Sequence, residues 1–191
     1  VAFASNLLTS VTFLGNAPFD GEYVFFDNNS LPFVLVSSAA TGWSSNFSAI
    51  AVVDENGATP GVSASASPSE SATPSAVFSY SVNSDEVSAT ITGCISNCTS
   101  DLVIPASVFD DTFGKLSVTA IGYAAFLGRS LTSVELPYSV TVLVDYAFEN
   151  NALTSITLPE NLTSIGYQAF ANNLLTSLTI PAAVNYVGPV A

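Results

Sequence analysis

A seven-residue segment recurs in this chain at a fixed spacing. Residues 131–137 read LTSVELP, residues 153–159 read LTSITLP and residues 175–181 read LTSLTIP. An Ala-Phe pair recurs in the same phase, at residues 125–126, 147–148 and 169–170. A period in the twenties is typical of solenoids, in which each repeat buries its apolar edge only by stacking on its neighbours. The chain is therefore predicted to fold as a repeat solenoid.

Each repeat divides into a predicted strand and a predicted turn. In residues 153–159 the apolar side chains are expected to point inward and the hydroxyl side chains outward, in a strand that ends at Pro159 because proline cannot donate to a ladder. The inward set is Leu153, Ile156 and Leu158, and the outward set is Thr154, Ser155 and Thr157. Residues 165–170, IGYQAF, have roughly helical apolar spacing and predict a tight helical turn on the opposite wall, with Phe170 in the core.

The repeats resemble the BspA-like leucine-rich repeats of bacterial and protist surface proteins. The repeat of that family looks like VTSIGxxAFxxxxLTSITIPxS, and residues 162–183, LTSIGYQAFANNLLTSLTIPAA, are close to it. The resemblance is specific over residues 118–191. It implies a β-dominated leucine-rich-repeat solenoid of parallel strands and short helical or 3-10 turns, which begins with an antiparallel β-hairpin cap. It also implies a surface adhesin that binds host or matrix proteins.

Four segments are predicted along the chain. Residues 1–56 are interpreted as the C-terminal end of a repeat block with a cap, since Phe3 and LLTSVTFLG repeat the pattern, Phe26 substitutes for a core phenylalanine and Trp43 follows. Residues 57–76 are a linker rich in Pro, Ser, Ala and Thr, a composition that stays extended or disordered. Residues 77–117 are the β-hairpin cap, because VFSYSV and VSATITG alternate like paired strands. Residues 118–191 are the regular repeats (118–139, 140–161, 162–183 and a partial copy, 184–191).

The two ends of the chain share one repeat phase. The next phenylalanine of the series is due at position 192, just past Ala191, and Phe3 holds that phase. Joined head to tail, VGPVA runs into FASNLLTS in register. We therefore hypothesise that the natural protein is a tandem array of such cassettes, with end-to-end self-association as a further alternative.

Composition excludes several classes of function. The net charge is −13, with Lys+Arg 2 against Asp+Glu 15, so we expect neither nucleic acid nor an anionic membrane surface as partner. No apolar run is long enough to span a membrane. The chain has no histidine, which removes the Ser-His-Asp and Cys-His arrangements. The Asp110-Asp111 pair and the DENG stretch at 54–57 are weak candidates for a carboxylate pair and a calcium loop, so no enzyme activity, cofactor or metal is predicted.

Cys94 and Cys98 are the only cysteines. Their four-residue spacing can close a small disulfide loop in an oxidising compartment, the interpretation favoured here, and a pair of free thiols is the alternative. A zinc site is disfavoured because there is no histidine and no second cysteine pair.

The remaining candidate site is a surface of hydroxyl groups. The outward strand positions are expected to stack in columns about 4.8 Å apart. They comprise Thr132, Ser133, Glu135, Thr154, Ser155, Thr157, Thr176, Ser177 and Thr179, with Thr9, Ser10 and Thr12 in the N-terminal block. We expect a secreted or cell-surface adhesion module that binds an extracellular protein or polysaccharide. The alternatives are binding to ice or a crystalline polysaccharide, and a purely structural spacer whose threonines merely suit a solvated strand.

Overall fold

The computed structural model describes residues 3–15, 28, 33–36, 46–47, 50–54, 78–96 and 98–188. The predictions for Phe26, Trp43 and the linker at 57–76 lie outside these residues. The strands of the described part, in chain order, are β1 (Ser10–Phe13), β2 (Phe33–Val36), β3 (Asn46–Phe47), β4 (Ile50–Asp54), β5 (Phe78–Val82), β6 (Ser88–Cys94), β7 (Asp101–Val103), β8 (Ser107–Asp110), β9 (Gly114–Ile121), β10 (Ser133–Glu135), β11 (Val142–Leu143), β12 (Ser164–Ile165), β13 (Ser177–Ile180) and β14 (Tyr186–Val187).

Successive coils stack through parallel strands. On one side β9, β11, β12 and β14 pair in that order, and each pairing step advances by one repeat, as in Leu143 opposite Ile121 and Ile165 opposite Leu143. The apolar residues at the equivalent position of these strands are all fully buried, namely Ile121, Leu143, Ile165 and Val187. On the other side β10 pairs with β7, and β13 pairs with β1 at one end of a five-stranded sheet. The predicted β-dominated solenoid is therefore confirmed.

A stack of phenylalanine rings fills the coil between these two sides. Phe126, Phe148 and Phe170 lie with ring centroids 5.4 and 5.5 Å apart and nearly parallel planes. All three are fully buried. The Ala-Phe pairs that mark the period in the sequence therefore supply the core of the solenoid, where aromatic rings bury the largest apolar area per side chain.

The predicted helical turns are wrong, because the described residues form hydrogen-bonded turns there and no helix. Ala124, Tyr146 and Gln168 occupy the same place in consecutive coils and have φ values of 49, 61 and 50°. A left-handed residue stops helix propagation. The turn N–H groups bond instead to the next coil, as in Tyr146 N to Tyr167 O at 2.8 Å and Phe148 N to Ala169 O at 2.8 Å.

Asparagines that are buried, or half-buried in the case of Asn151, hold this turn closed. The Nδ2 of Asn173 donates to the carbonyl oxygens of Phe148, Phe170 and Ala171 at 3.0–3.2 Å, and its Oδ1 accepts from the backbone N–H of Leu153 at 3.1 Å. Asn151 and Asn6 make the same kinds of bond in their own coils. We call Asn151, Asn173 and Asn6 the asparagine ladder. The sequence indicated only a polar turn at these positions.

The middle copy of the seven-residue segment differs from the prediction in one respect. Residues 153–159 show the expected alternation of burial, but they are not a strand. Backbone hydrogen bonds join this segment to the neighbouring coils at its start, from Ala152 N to Leu131 O and from Leu174 N to Leu153 O. The sheet on this side is therefore divided between β10 and β13.

The N-terminal segment completes the array. Strand β1 pairs in parallel with β13, with Ser10 opposite Ser177 and Phe13 opposite Ile180. Phe3 is fully buried and extends the phenylalanine stack, its ring 5.6 Å from that of Phe170 and inclined by 5°. Residues 3–13 thus occupy the place of the next repeat, and β2 and β4 follow in parallel beyond them.

A small β-structure covers the first repeat. Strands β5 and β6 form an antiparallel pair, β6 lies parallel to β9, and β8 pairs antiparallel with β9. Cys94, at the end of β6, forms a disulfide with Cys98. Both cysteines pack against the hydrophobic core, so the disulfide closes the loop that follows the hairpin.

Candidate binding face

The hydroxyl residues predicted from the sequence come together on one side of the solenoid. This hydroxyl face comprises Thr132, Ser133, Glu135, Thr154, Ser155, Thr157, Thr176, Ser177 and Thr179, with Thr9, Ser10 and Thr12 from the N-terminal segment. The nine positions from the regular repeats are all exposed, and between them buried residues such as Val134 and Leu178 point into the core. Strand alternation in β10 and β13 accounts for part of this exposure, and residues 153–159 show the same burial pattern without being a strand.

The N-terminal hydroxyls belong to the same face. Ser10 is the partner of Ser177, and Thr12 is the partner of Thr179. The Oγ1 of Thr9 donates to the carbonyl oxygen of Thr176 at 3.1 Å. Because β1 is in register with β13, the face continues from the last regular repeat into the N-terminal segment.

An acidic residue that the sequence reasoning missed lies at the other end of the hydroxyl face. Strand β7 pairs with β10, with Asp101 opposite Ser133. The carboxylate Oδ1 of Asp101 accepts hydrogen bonds from the hydroxyls of Thr132 at 3.1 Å and Ser133 at 2.8 Å. With Glu135, this end of the face carries negative charge, whereas the rungs at 154–157 and 176–179 carry only hydroxyls.

Two exposed leucines edge the face and were also missed. Leu7 is 56% exposed and Leu174 is 44% exposed. Their coils are hydrogen bonded to each other, since Leu7 N donates to Leu175 O at 3.0 Å. The signal was present in the sequence, because LLTS at 7–10 and 174–177 has a second leucine where residues 152–155 read ALTS. The hydroxyl columns are therefore bordered by apolar surface.

The weaker sequence candidates have local structural roles or lie partly outside the described residues. The carboxylate of Asp110 accepts from the backbone N–H groups of Thr112 at 2.8 Å and Phe113 at 3.1 Å. These hydrogen bonds hold the pKa of Asp110 below its usual range, and the carboxylate closes the turn between β8 and β9. Asp54 ends β4, whereas the rest of DENG lies outside the described residues.

Neither a metal-binding cluster nor a membrane-spanning helix occurs in the described part of the chain. Within it, His, Cys, Asp and Glu side chains nowhere gather in threes as metal ligands. Its secondary structure includes no helix with the length and apolar character needed to cross a bilayer.

Comparisons with known proteins agree with the repeat pattern. Residues 112–191 match the model of the BspA type leucine rich repeat region, with six copies. A leucine-rich repeat protein from Bacteroides capillosus is 33% identical, with a TM-score of 0.54 over 59% of this chain and 83% of that one. A leucine-rich repeat protein from Bacteroides ovatus is 28% identical over 58% of this chain and 36% of that one, with a TM-score of 0.45. A leucine-rich repeat protein from T. pallidum is 22% identical over 61% of this chain and 64% of that one, with a TM-score of 0.48. Among curated proteins, none matches the chain.

Proposed function

Because the chain belongs to the BspA-type leucine-rich-repeat family, we propose that it is a non-enzymatic, secreted or cell-surface adhesion module. Its hydroxyl face binds an extended extracellular protein or polysaccharide. Proteins of this repeat type are typically cell-surface or extracellular, and leucine-rich-repeat families are generally non-enzymatic. The Cys94–Cys98 disulfide is consistent with an oxidising location.

One observation carries this proposal, the continuity of the hydroxyl face. Its rungs run from β10 across residues 153–159 to β13 and, through the register of Ser10 with Ser177, onto β1. A surface of repeated hydroxyl groups offers both hydrogen-bond donors and acceptors to a partner with a repeating polar backbone. Leu7 and Leu174 add apolar contact at its edge, which hydrogen bonding alone does not supply.

The regular register of the hydroxyl rungs also supports the lattice-binding alternative, but the interruption of the sheet weakens it. Matched threonine and serine rungs on a flat, continuous sheet would suit ice or a crystalline polysaccharide. Residues 153–159 interrupt the strand pairing between β10 and β13, so the face is not one continuous sheet. A flexible polymer therefore fits the face better than a rigid lattice. In the remaining alternative, a structural spacer, the face would bind no partner.

A charge-matched pair of variants tests the proposal. Thr157→Lys with Thr179→Lys places two bulky cations on the hydroxyl face, and Ala183→Lys with Asn185→Lys places two on exposed positions away from it. Binding to immobilised extracellular-matrix proteins, cellulose and chitin is measured for both variants and the wild type. We expect the face variant to lose at least about tenfold in affinity, which is about 1.4 kcal/mol. The control variant should retain the wild-type affinity.

The same variants separate the alternatives. Thermal hysteresis that disappears only in the face variant would favour ice binding over adhesion. Equal binding by the face and control variants would overturn the assignment of the hydroxyl face. If the wild-type protein binds to none of the immobilised probes, the result would favour a purely structural spacer role.

A further inference from the structure

A second surface on the solenoid is formed by tyrosines in the turns. The ring centroids of Tyr123 and Tyr146 lie 5.4 Å apart with planes at 75°, and those of Tyr146 and Tyr167 lie 5.4 Å apart at 77°. We call these three residues the tyrosine ladder. They join three successive coils edge to face, a favoured aromatic geometry.

The tyrosine ladder is separate from the buried aromatic stack. The phenylalanine rings beneath it are fully buried, whereas Tyr123 is 67% exposed and Tyr146 and Tyr167 are half-buried. The ladder therefore presents aromatic surface to solvent next to a core that the phenylalanines already fill. None of its residues belongs to the hydroxyl face.

The central rung occupies an unfavourable backbone conformation. Tyr146 has φ of 61°, and the equivalent positions in the neighbouring coils hold Ala124 and Gln168. A bulky residue in the left-handed region is a strained outlier, because its Cβ approaches the backbone closely. At the regular tyrosine position this coil has Asp145 instead, so the ladder is continuous only because Tyr146 stands one residue later.

Carboxylates lie beside the ladder. The Oδ1 of Asp145 accepts from the backbone N–H of Tyr167 at 2.8 Å, which fixes this carboxylate at the ladder. Glu149 follows in the same turn and accepts from the amide of Asn172 at 3.3 Å. Burial raises the pKa of Tyr146 most, and coupling to ionised Tyr167 and Tyr123 and to the carboxylates of Glu149 and Asp145 raises it further. At neutral pH the tyrosines are uncharged, so the negative charge at the ladder comes from the carboxylates of Asp145 and Glu149, in a chain with a net charge of −13.

We propose that the tyrosine ladder binds an extended, arginine- or lysine-rich peptide segment of a partner protein. Cations are attracted to the faces of aromatic rings, and carboxylates beside the rings add charge complementarity. Basic residues at alternate positions of an extended peptide lie about 6.8 Å apart, roughly 1.4 Å more than the 5.4 Å spacing of the rings. Because a cation–π contact extends to about 6 Å from the ring centroid, this offset still allows a cation near each of the three rings. This proposal is independent of the hydroxyl face, and either one can fail alone.

The test uses neutral substitutions, so the net charge of the protein stays constant. A fluorescently labelled peptide with four Arg-Ala units is titrated with the full chain in a fluorescence anisotropy assay, beside a matched peptide with four Gln-Ala units. The ladder variants are Tyr123→Leu and Tyr146→Leu. The control is Tyr138→Leu, at a position that is 61% exposed and outside the ladder.

We expect the arginine peptide to bind and the glutamine peptide not to bind. Each ladder variant should weaken binding at least about fivefold, and Tyr138→Leu should leave it unchanged. Equal binding by all variants would overturn the proposal, because general attraction to the acidic surface would then explain the affinity. Binding of the glutamine peptide, or of soluble neutral glycans in place of the arginine peptide, would also overturn it. If Tyr146→Leu does not fold, the exposed Tyr123→Leu decides the result.

Discussion

At the residue scale, the asparagine ladder does most to fix the turn of each coil. One side chain donates to three backbone carbonyls and accepts from one backbone N–H, all in fully buried residues. Burial of these backbone groups without partners would be costly. The ladder also reaches the N-terminal segment, where Asn28 stands one repeat length after Asn6 and donates to the carbonyl of Phe3 at 2.8 Å.

Removal of one rung should therefore be strongly destabilising. Asn173→Ala leaves the buried N–H of Leu153 without its partner and removes one of two donors from each of the three carbonyls, so we expect a loss of about 2–3 kcal/mol in the free energy of unfolding. Asn185→Ala, at an exposed position, should change it by less than about 0.5 kcal/mol. Urea denaturation measures both. Similar effects of the two substitutions would contradict the role given to the ladder.

A second prediction at this scale concerns pH. The carboxylate of Asp85 accepts from the Ser88 hydroxyl and from the backbone N–H groups of Val87 and Ser88, and these bonds hold its pKa below the usual range. Because the folded pKa is lowered, this stabilisation is present above about pH 4 and is lost as pH falls through the folded value. The free energy of unfolding of Asp85→Asn should therefore fall less than that of the wild type between about pH 4 and pH 2, as measured by urea denaturation at each pH. An identical acid dependence in both proteins would contradict this.

At the element scale, the docking of the N-terminal segment is the main structural finding. Strand β1 adds to β13 as an extra parallel strand, Phe3 stacks on Phe170, and Asn6 bonds to the carbonyl of Phe170 and the N–H of Leu175. A Cβ on Gly15 would lie 2.4 Å from the carbonyl oxygen of Ala182, so glycine permits this close approach. The strand pairing, the ring stacking and the asparagine hydrogen bonds that join regular repeats are therefore all repeated at this junction.

Weakening this junction should open it locally. Phe3→Ala removes a fully buried ring and should cost about 3–5 kcal/mol at the junction. Hydrogen exchange should then show faster exchange of the β1 amides and little change at β12, since opening can be confined to one unit. Leu7→Ala, at a position that is 56% exposed, is the control. A uniform loss of protection across β9, β11 and β12 would contradict separate opening.

The sequence could predict the inward residues and most of the strands, but neither the absence of a strand at 153–159 nor the conformation of the turns. The fixed repeat period and the alternation of leucine with threonine determine which side chains are buried, as Leu175 and Thr176 illustrate. The turn depends on left-handed residues such as Gln168, whose side chain gives no such signal, and this is why helical spacing was misleading. Asp101 joins the hydroxyl face through long-range pairing with Ser133, which lies outside the repeat pattern.

At the scale of the whole molecule, residues 3–13 and 184–187 contribute to the same coil. Strand β14 pairs with β12 on one side of the solenoid, and β1 pairs with β13 on the other. The coil that follows residue 183 is therefore built from two segments that are far apart in the sequence. The phase of Phe3 in the sequence fits this arrangement, although whether the two blocks pack together could not be read from the repeats alone.

A circular permutant tests this arrangement. If Ala191 is joined directly to Phe3, the phenylalanine falls one repeat length after Phe170, and new ends can be opened within residues 57–76. Because the docked segment is then covalently continuous with the coil beneath it, we expect a folded monomer at least as stable as the wild type in urea denaturation. A matched permutant that keeps Val1 and Ala2 inserts two residues into the turn and should be less stable. If the in-register permutant unfolds more readily than the wild type or than the two-residue insertion, the docking of β1 on β13 is not the junction of a continuous solenoid.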